Sequence, residues 1–174
     1  MSAQPRSYTC GILTLSDKGS RGEREDTSGA LLKEKLSEAG FTVSEYLILP
    51  DRREEIETKL IDWADLKKLD LIVTTGGTGV SPSDQTPEAT RAVIDIEIPG
   101  LAEAMRMASL QKTVQAVWSR GIAGIRKQSL ILNLPGSRKA AGENLEVVLS
   151  SLMHGIYKLQ GGQADCGEGN TPHR

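Results

Sequence analysis

The segments "YTCGILTLS" (8–16), "FTVSEYLILP" (41–50) and "LDLIVTT" (69–75) each read as a buried β-strand, and a stretch of helical periodicity separates each from the next. Strands joined through helices cannot close as hairpins. They need crossovers, and right-handed crossovers build a mainly parallel α/β sheet with helices on both faces. The first helix is expected from Asp26 or Thr27 to Ala39, with Gly40 as its stop and Leu31, Leu32, Leu36 and Ala39 on its apolar face. The second opens at Pro50-Asp51 and turns Ile56, Leu60, Trp63 and Ala64 to the core. Thr86-Pro87 reads as another start, with threonine as cap and proline at the first helical position. A helix near Pro99-Gly100 buries Leu101, Ala104, Met105 and Ala108. The segment "AVWSRGIAGIRKQSLILNLPG" holds two or three short strands, with "GIRKQ" as the turn of a small hairpin. A last helix runs from about Ser137 to Leu159, with Leu145, Val148, Leu149, Leu152 and Ile156 at spacings of three and four. Residues 1–7 read as a flexible lead, 8–160 as one domain and 161–174 as a flexible tail.

Composition narrows the function classes. The 21 basic and 23 acidic residues leave a net charge of −2, which argues against a dedicated nucleic-acid binder. Aromatics are 3% of the chain, so stacking dominates no binding surface. No apolar run is long enough to span a membrane, and the N-terminus lacks the apolar core of a signal peptide, so a cytoplasmic protein is expected. Cys10 and Cys166 are too few and too far apart for a disulfide framework, and the two histidines, His154 and His173, have no zinc-ligand spacing.

In open α/β sheets ligands bind beyond the carboxyl ends of the strands. Four polar loops belong at that edge: those after Leu15, Leu49, Thr75 and Leu134. The third, "TTGGTGVSPSDQTPEAT" (74–90), is rich in glycine. Such a loop brings backbone N–H groups close to an anion, but it is neither a P-loop nor a dinucleotide fingerprint. Asp51 and Asp84 lie on two of these loops. If the loops meet, the pair suits Mg²⁺ on a polyphosphate, since magnesium takes one or two carboxylates and fills its shell with water and phosphate. Helix capping is the competing use of both aspartates. "LPGSRKA" (134–140) places a glycine, a hydroxyl and two cations at a helix start, a pattern suited to phosphate and equally to an ordinary strand-to-helix turn.

Taken together, "LTLSDKGSRGEREDTSG", "TTGGTGVSPSDQTPEAT", "IPGLAEAMR", "SRGIAGIRKQSLILNLPGS" and the final helix, in this order, resemble the molybdopterin-binding family of molybdenum cofactor biosynthesis over residues 8–160. Within it the match is best to the molybdopterin adenylyltransferases. The resemblance implies a three-layer α/β fold and a homotrimer. It implies transfer of AMP from Mg-ATP to the terminal phosphate of molybdopterin, with release of pyrophosphate. A molybdenum-inserting enzyme and molybdopterin synthase would then be protein partners. Residue by residue, the family's two important aspartates fall on Asp51 and Asp84, as catalytic and metal-holding groups. Gly76, Gly77, Thr78 and Gly79 match its glycine loop, with Thr86 in the "DQTPEAT" segment that follows. Pro135, Gly136 and Ser137 match its second loop, and Ser16, Asp17 and Asp26 its first. Many relatives carry Arg where this chain has Ser83. Arg52, Arg91 and Lys139 are the candidates to replace that cation. The main rival reading is a carrier that binds molybdopterin without catalysis.

Overall fold

The structure is a computed structural model, and it describes residues 7–163. The lead and tail expected from sequence fall mostly outside that range, as do Cys166 and His173. Ser7 lies inside it, and its hydroxyl meets Gly40 O and Thr42 Oγ1.

One six-stranded sheet organises the chain. Its strands are β1 (Thr9–Leu15), β2 (Thr42–Leu49), β3 (Leu71–Thr75), β4 (Ile96–Glu97), β5 (Ala123–Arg126) and β6 (Ser129–Leu134), in spatial order β2-β1-β3-β6-β5-β4. The first four in that order are mutually parallel; β5 runs antiparallel to β6, and β4, at the edge, antiparallel to β5. The expected hairpin is β5–β6, with Lys127 in its turn at φ 52°. The segment before it forms a 3-10 turn, Val114–Trp118, rather than a further strand.

Alternation along the central strands splits the core in two, because successive side chains leave opposite faces of a sheet. Ile12, Leu71, Val73, Leu130 and Leu132 pack on one face with Leu32 and Leu36 of α2 (Thr27–Glu38) and with Leu145, Val148, Leu152 and Ile156 of α6 (Arg138–Leu159). Met105 of α5 (Pro99–Leu110) joins them. Leu13, Ile72 and Ile131 pack on the other face with Ile56 and Leu60 of α3 (Arg53–Ile61) and Ala89 and Val93 of α4 (Thr86–Val93). The result is three layers. Cys10 lies in the first core, and burial pushes its thiol up to about 12, so it behaves as a small apolar side chain.

Helix boundaries depart from expectation in informative ways. The loop after β1 holds a short α1 (Asp17–Ser20), capped by Ser16, whose Oγ accepts from Gly19 N at 3.0 Å. Asp26 caps α2 through Gly29 N at 2.8 Å. α3 continues into a π-helical turn, Asp62–Leu66, which buries Trp63 and Ala64 side by side. Thr86 is not the cap of α4 but its first residue. Gln85 holds the cap position without a side-chain bond, and Pro87 stands second. Ala102 and Met105 are the buried residues of α5, while Leu101, Ala104 and Ala108 are only half-buried. Among the described residues no helix is long and apolar enough to cross a membrane.

Candidate active site

Parallel pairing puts the ends of β2, β1, β3 and β6 at one edge, so the four polar loops meet there. The chain leaves β1 outward to β2 and returns past it to β3, which makes this edge the switch point of the sheet. A cleft of about 340 Å³ opens at that place. Ser16 and Asp26 line it from the first loop, Asp51 from the second, Gly76, Gly77 and Asp84 from the third, and Gly136 and Ser137 from the fourth.

Cross-loop hydrogen bonds hold this edge together. Ser28 Oγ donates to Gly136 O at 2.8 Å, and Thr75 Oγ1 to Pro135 O at 2.7 Å. Gly76 N donates to Leu134 O at 3.2 Å, and Asp51 N to Asp17 Oδ1 at 3.2 Å. The turn at Gly76 and Gly77 is left-handed, with φ of 103° and 64°. A β-carbon on Gly76 would lie 2.4 Å from Leu15 O, and one on Gly77 2.3 Å from Thr86 Oγ1 and 2.9 Å from Asp51 Oδ1. Only glycine lets this loop turn here and still pass so close to its neighbours.

Asp51 is the distinctive group. It does not cap α3, because Arg52 holds the cap position. Its Oδ1 is buried and has no hydrogen-bond partner. Burial, then the charge of Asp17 and, after the opposing Asp17 hydrogen bond, that of Asp84, raise its carboxyl above the ordinary aspartate value. Asp84 does not cap α4 either. Its Oδ2 accepts from Ser81 N at 2.9 Å, which braces the loop and leaves the carboxylate at the cleft wall. A buried oxygen without a donor, beside a second carboxylate, suits a cation. Among the described residues no set of three or more His, Cys, Asp or Glu could hold a metal, so Asp51 and Asp84 would be the carboxylate pair at this site. That donor set is the one magnesium uses when phosphate and water complete its shell.

Other expected site residues take supporting positions. Thr86 is fully buried behind the loop, where its hydroxyl donates to Gly76 O at 2.9 Å. Thr78, Gly79 and Pro135 line a neighbouring niche of about 290 Å³ on the far side of the glycine loop. Asp17 stands outside the cleft lining and holds the Asp51 amide. The Asp26 carboxylate is taken up by Gly29 N, by Thr14 Oγ1 at 2.5 Å and by the Tyr46 hydroxyl. Ser137 caps α6 through Ala140 N at 3.2 Å.

Two arginines were not assigned from sequence. Arg120 grips the glycine loop, donating to Gly79 O at 2.5 Å and Asp84 O at 2.8 Å while pairing with Glu88; its own amide donates to Thr78 O at 2.9 Å. Bonds to backbone carbonyls leave no trace in a residue pattern. Arg24 lines the cleft itself, two residues before the Asp26 cap. Its place inside the acidic first loop was the available signal. Arg52, Arg91 and Lys139, the cations considered from sequence, do not line the cleft, and the first two pair with Glu55 and Glu97.

Comparison with known proteins agrees with this geometry. Residues 11–154 match the family described as "Probable molybdopterin binding domain". The chain is 43% identical over 162 residues to a molybdopterin adenylyltransferase of Helicobacter pylori strain J99, covering 92% of both chains. It is 41% identical over 153 residues to the molybdopterin adenylyltransferase of Escherichia coli K12, covering 84% of this chain and 78% of that one. The crystal structure of the molybdopterin biosynthesis enzyme MoaB from Thermus thermophilus superposes with a TM-score of 0.84 at 52% identity, over 88% of this chain and 97% of that one. Sequence motifs, sheet order and relatives converge, and the chain belongs to the molybdopterin-binding domain family of molybdenum cofactor biosynthesis.

Proposed function

We propose that this chain is a molybdopterin adenylyltransferase: it transfers AMP from ATP to the terminal phosphate of molybdopterin and releases pyrophosphate. The observation that carries the reading is the buried, unpartnered Asp51 Oδ1 facing the glycine loop, with Asp84 on the same cleft wall. In this reaction a phosphate oxygen of the pterin attacks the α-phosphorus of ATP. The bond from that phosphorus to the bridging oxygen breaks, and pyrophosphate leaves with the electron pair. The attacking oxygen is already anionic, so no side chain need remove a proton, and a cleft lined without histidine is no handicap. Catalysis is then positioning and charge stabilisation. Asp51 and Asp84 would hold Mg²⁺, which supplies positive charge for the polyphosphate. Asp17 and Arg120 keep the two carboxylates in place through the backbone of their loops. The Gly76 amide is spent on Leu134 O, so the Gly77 amide is the donor this turn would offer a phosphate oxygen.

The family resemblance extends the proposal to a homotrimer working in the cytoplasm, with molybdopterin synthase and a molybdenum-inserting enzyme as partners before and after it. The test is pyrophosphate release by purified protein given Mg-ATP and molybdopterin together. Asp51→Ala and Asp84→Ala should bind pterin nearly as wild type and lose most adenylation, on the order of 100-fold or more, as expected when transition-state charge stabilisation is removed. Full activity in either variant refutes its role. Tight pterin binding by wild type without any product would make the protein a carrier.

A further inference from the structure

We infer that Arg24 is the phosphate-recognising side chain of this cleft, a conclusion that rests on the adenylyltransferase reading above. Among the described residues the lining contains four carboxylates, Glu25, Asp26, Asp51 and Asp84, and one cation, Arg24. Any phosphate-bearing substrate entering that space is polyanionic. Without a basic group the cleft would repel it, and two carboxylates with one divalent cation are no more than neutral.

The nearby cations are committed elsewhere or stand apart. Arg21 pairs with Glu23, Arg52 with Glu55, Arg53 with Glu57, and Arg120 with Glu88 and three loop carbonyls counting its own amide. Lys18, Arg138 and Lys139 are exposed, as Arg24 is, but do not line the cleft. Arg24 makes no ion pair or side-chain hydrogen bond among the described residues. Its backbone is nonetheless well placed. Asp26, two residues on, is anchored by Gly29, Thr14 and Tyr46. On the other side Glu23 N donates to Lys18 O at 2.9 Å, closing the turn that contains Gly22 at φ 74°. A guanidinium on a held backbone, with its five donors unspent, is suited to grip two phosphate oxygens at once.

The phosphate oxygens in question belong to the nucleotide or to the pterin. Isothermal titration with Mg-ATP, pyrophosphate and adenosine, and KM values for ATP and molybdopterin in turnover, separate these sources. The proteins are wild type, Arg24→Ala, Arg24→Lys and Arg91→Ala, the last a cation outside the cleft. We expect Arg24→Ala to weaken Mg-ATP and pyrophosphate by roughly 10- to 100-fold, the range of a charge-assisted hydrogen bond. Adenosine should be unaffected, Arg24→Lys intermediate and Arg91→Ala unchanged. A raised KM for molybdopterin with nucleotide binding intact would assign the contact to the pterin phosphate. Unchanged affinity for every phosphate ligand in Arg24→Ala overturns the inference while wild-type turnover still stands. An equal loss for adenosine overturns it too, since the side chain would then be shaping the cleft rather than reading phosphate. Wild-type protein that neither binds Mg-ATP nor turns over brings down both readings.

Discussion

At Asp51 the carboxylate gives up water without gaining a donor at Oδ1, and two neighbouring aspartates add repulsion. The native state therefore holds its proton more tightly than the unfolded chain does. By linkage its ionisation costs stability, and the cost grows as pH rises above the ordinary aspartate range and is complete above the raised native value. Asp51→Asn should melt a few degrees higher than wild type at pH 7 without divalent ions, and the difference should shrink near pH 3. Added Mg²⁺ should raise the melting temperature of wild type and leave Asp51→Asn nearly unmoved. Calorimetry in the four conditions checks both, and a less stable Asn variant at pH 7 would contradict the electrostatic account. Both aspartates were legible in the sequence because each stands on a loop after a strand. Whether they capped helices was not, since Asp51 before α3 and Asp84 before α4 fit a capping pattern that the structure assigns to Arg52 and Gln85. Arg120 was given no role because its partners, the Gly79 and Asp84 carbonyls, come from a distant part of the chain, whereas Arg24 was passed over although its acidic surroundings in the first loop are local.

Among the elements, the join between β3 and α4 bears the tightest geometry. Gly76 turns left-handed under Leu15 O, and Thr86 holds it from behind. Gly76→Ala should lose at least about 1–3 kcal/mol, the cost of a strained backbone position, before the clash with Leu15 O is added. Ser137→Ala removes only a cap and should cost about 1 kcal/mol. Urea unfolding of the two variants side by side measures the contrast, and equal losses would remove the special status of the turn. The strands were readable as short apolar runs, and the long helices from spacings of three and four. "TPEAT" was misread as cap plus first turn, because threonine before proline fits that pattern; the Gly76 carbonyl claims the hydroxyl instead. β4, two residues long, offers no periodicity to read.

For the whole molecule, the parallel order was legible because helices separate the first three strands, whereas the insertion of β6 beside β3 depends on packing across the sheet. Met107 and Leu110 on α5, with Val114, Val117 and Trp118 on the turn after it, form a run of exposed apolar residues. The proposed trimer predicts a solution mass three times the 18.8 kDa chain by light scattering, and a monomer would rule that assembly out. The same sheet order has a bearing on synthesis. Once β3 has left the ribosome it can pair with β1, but its other edge must wait for residues 129–134, after α4, β4, α5 and β5 have been made. Through that interval an apolar strand, Leu71–Thr75, presents open backbone groups to any nascent neighbour. The period of greatest exposure to misassembly, and of greatest need for a chaperone, falls between the emergence of β3 and that of β6.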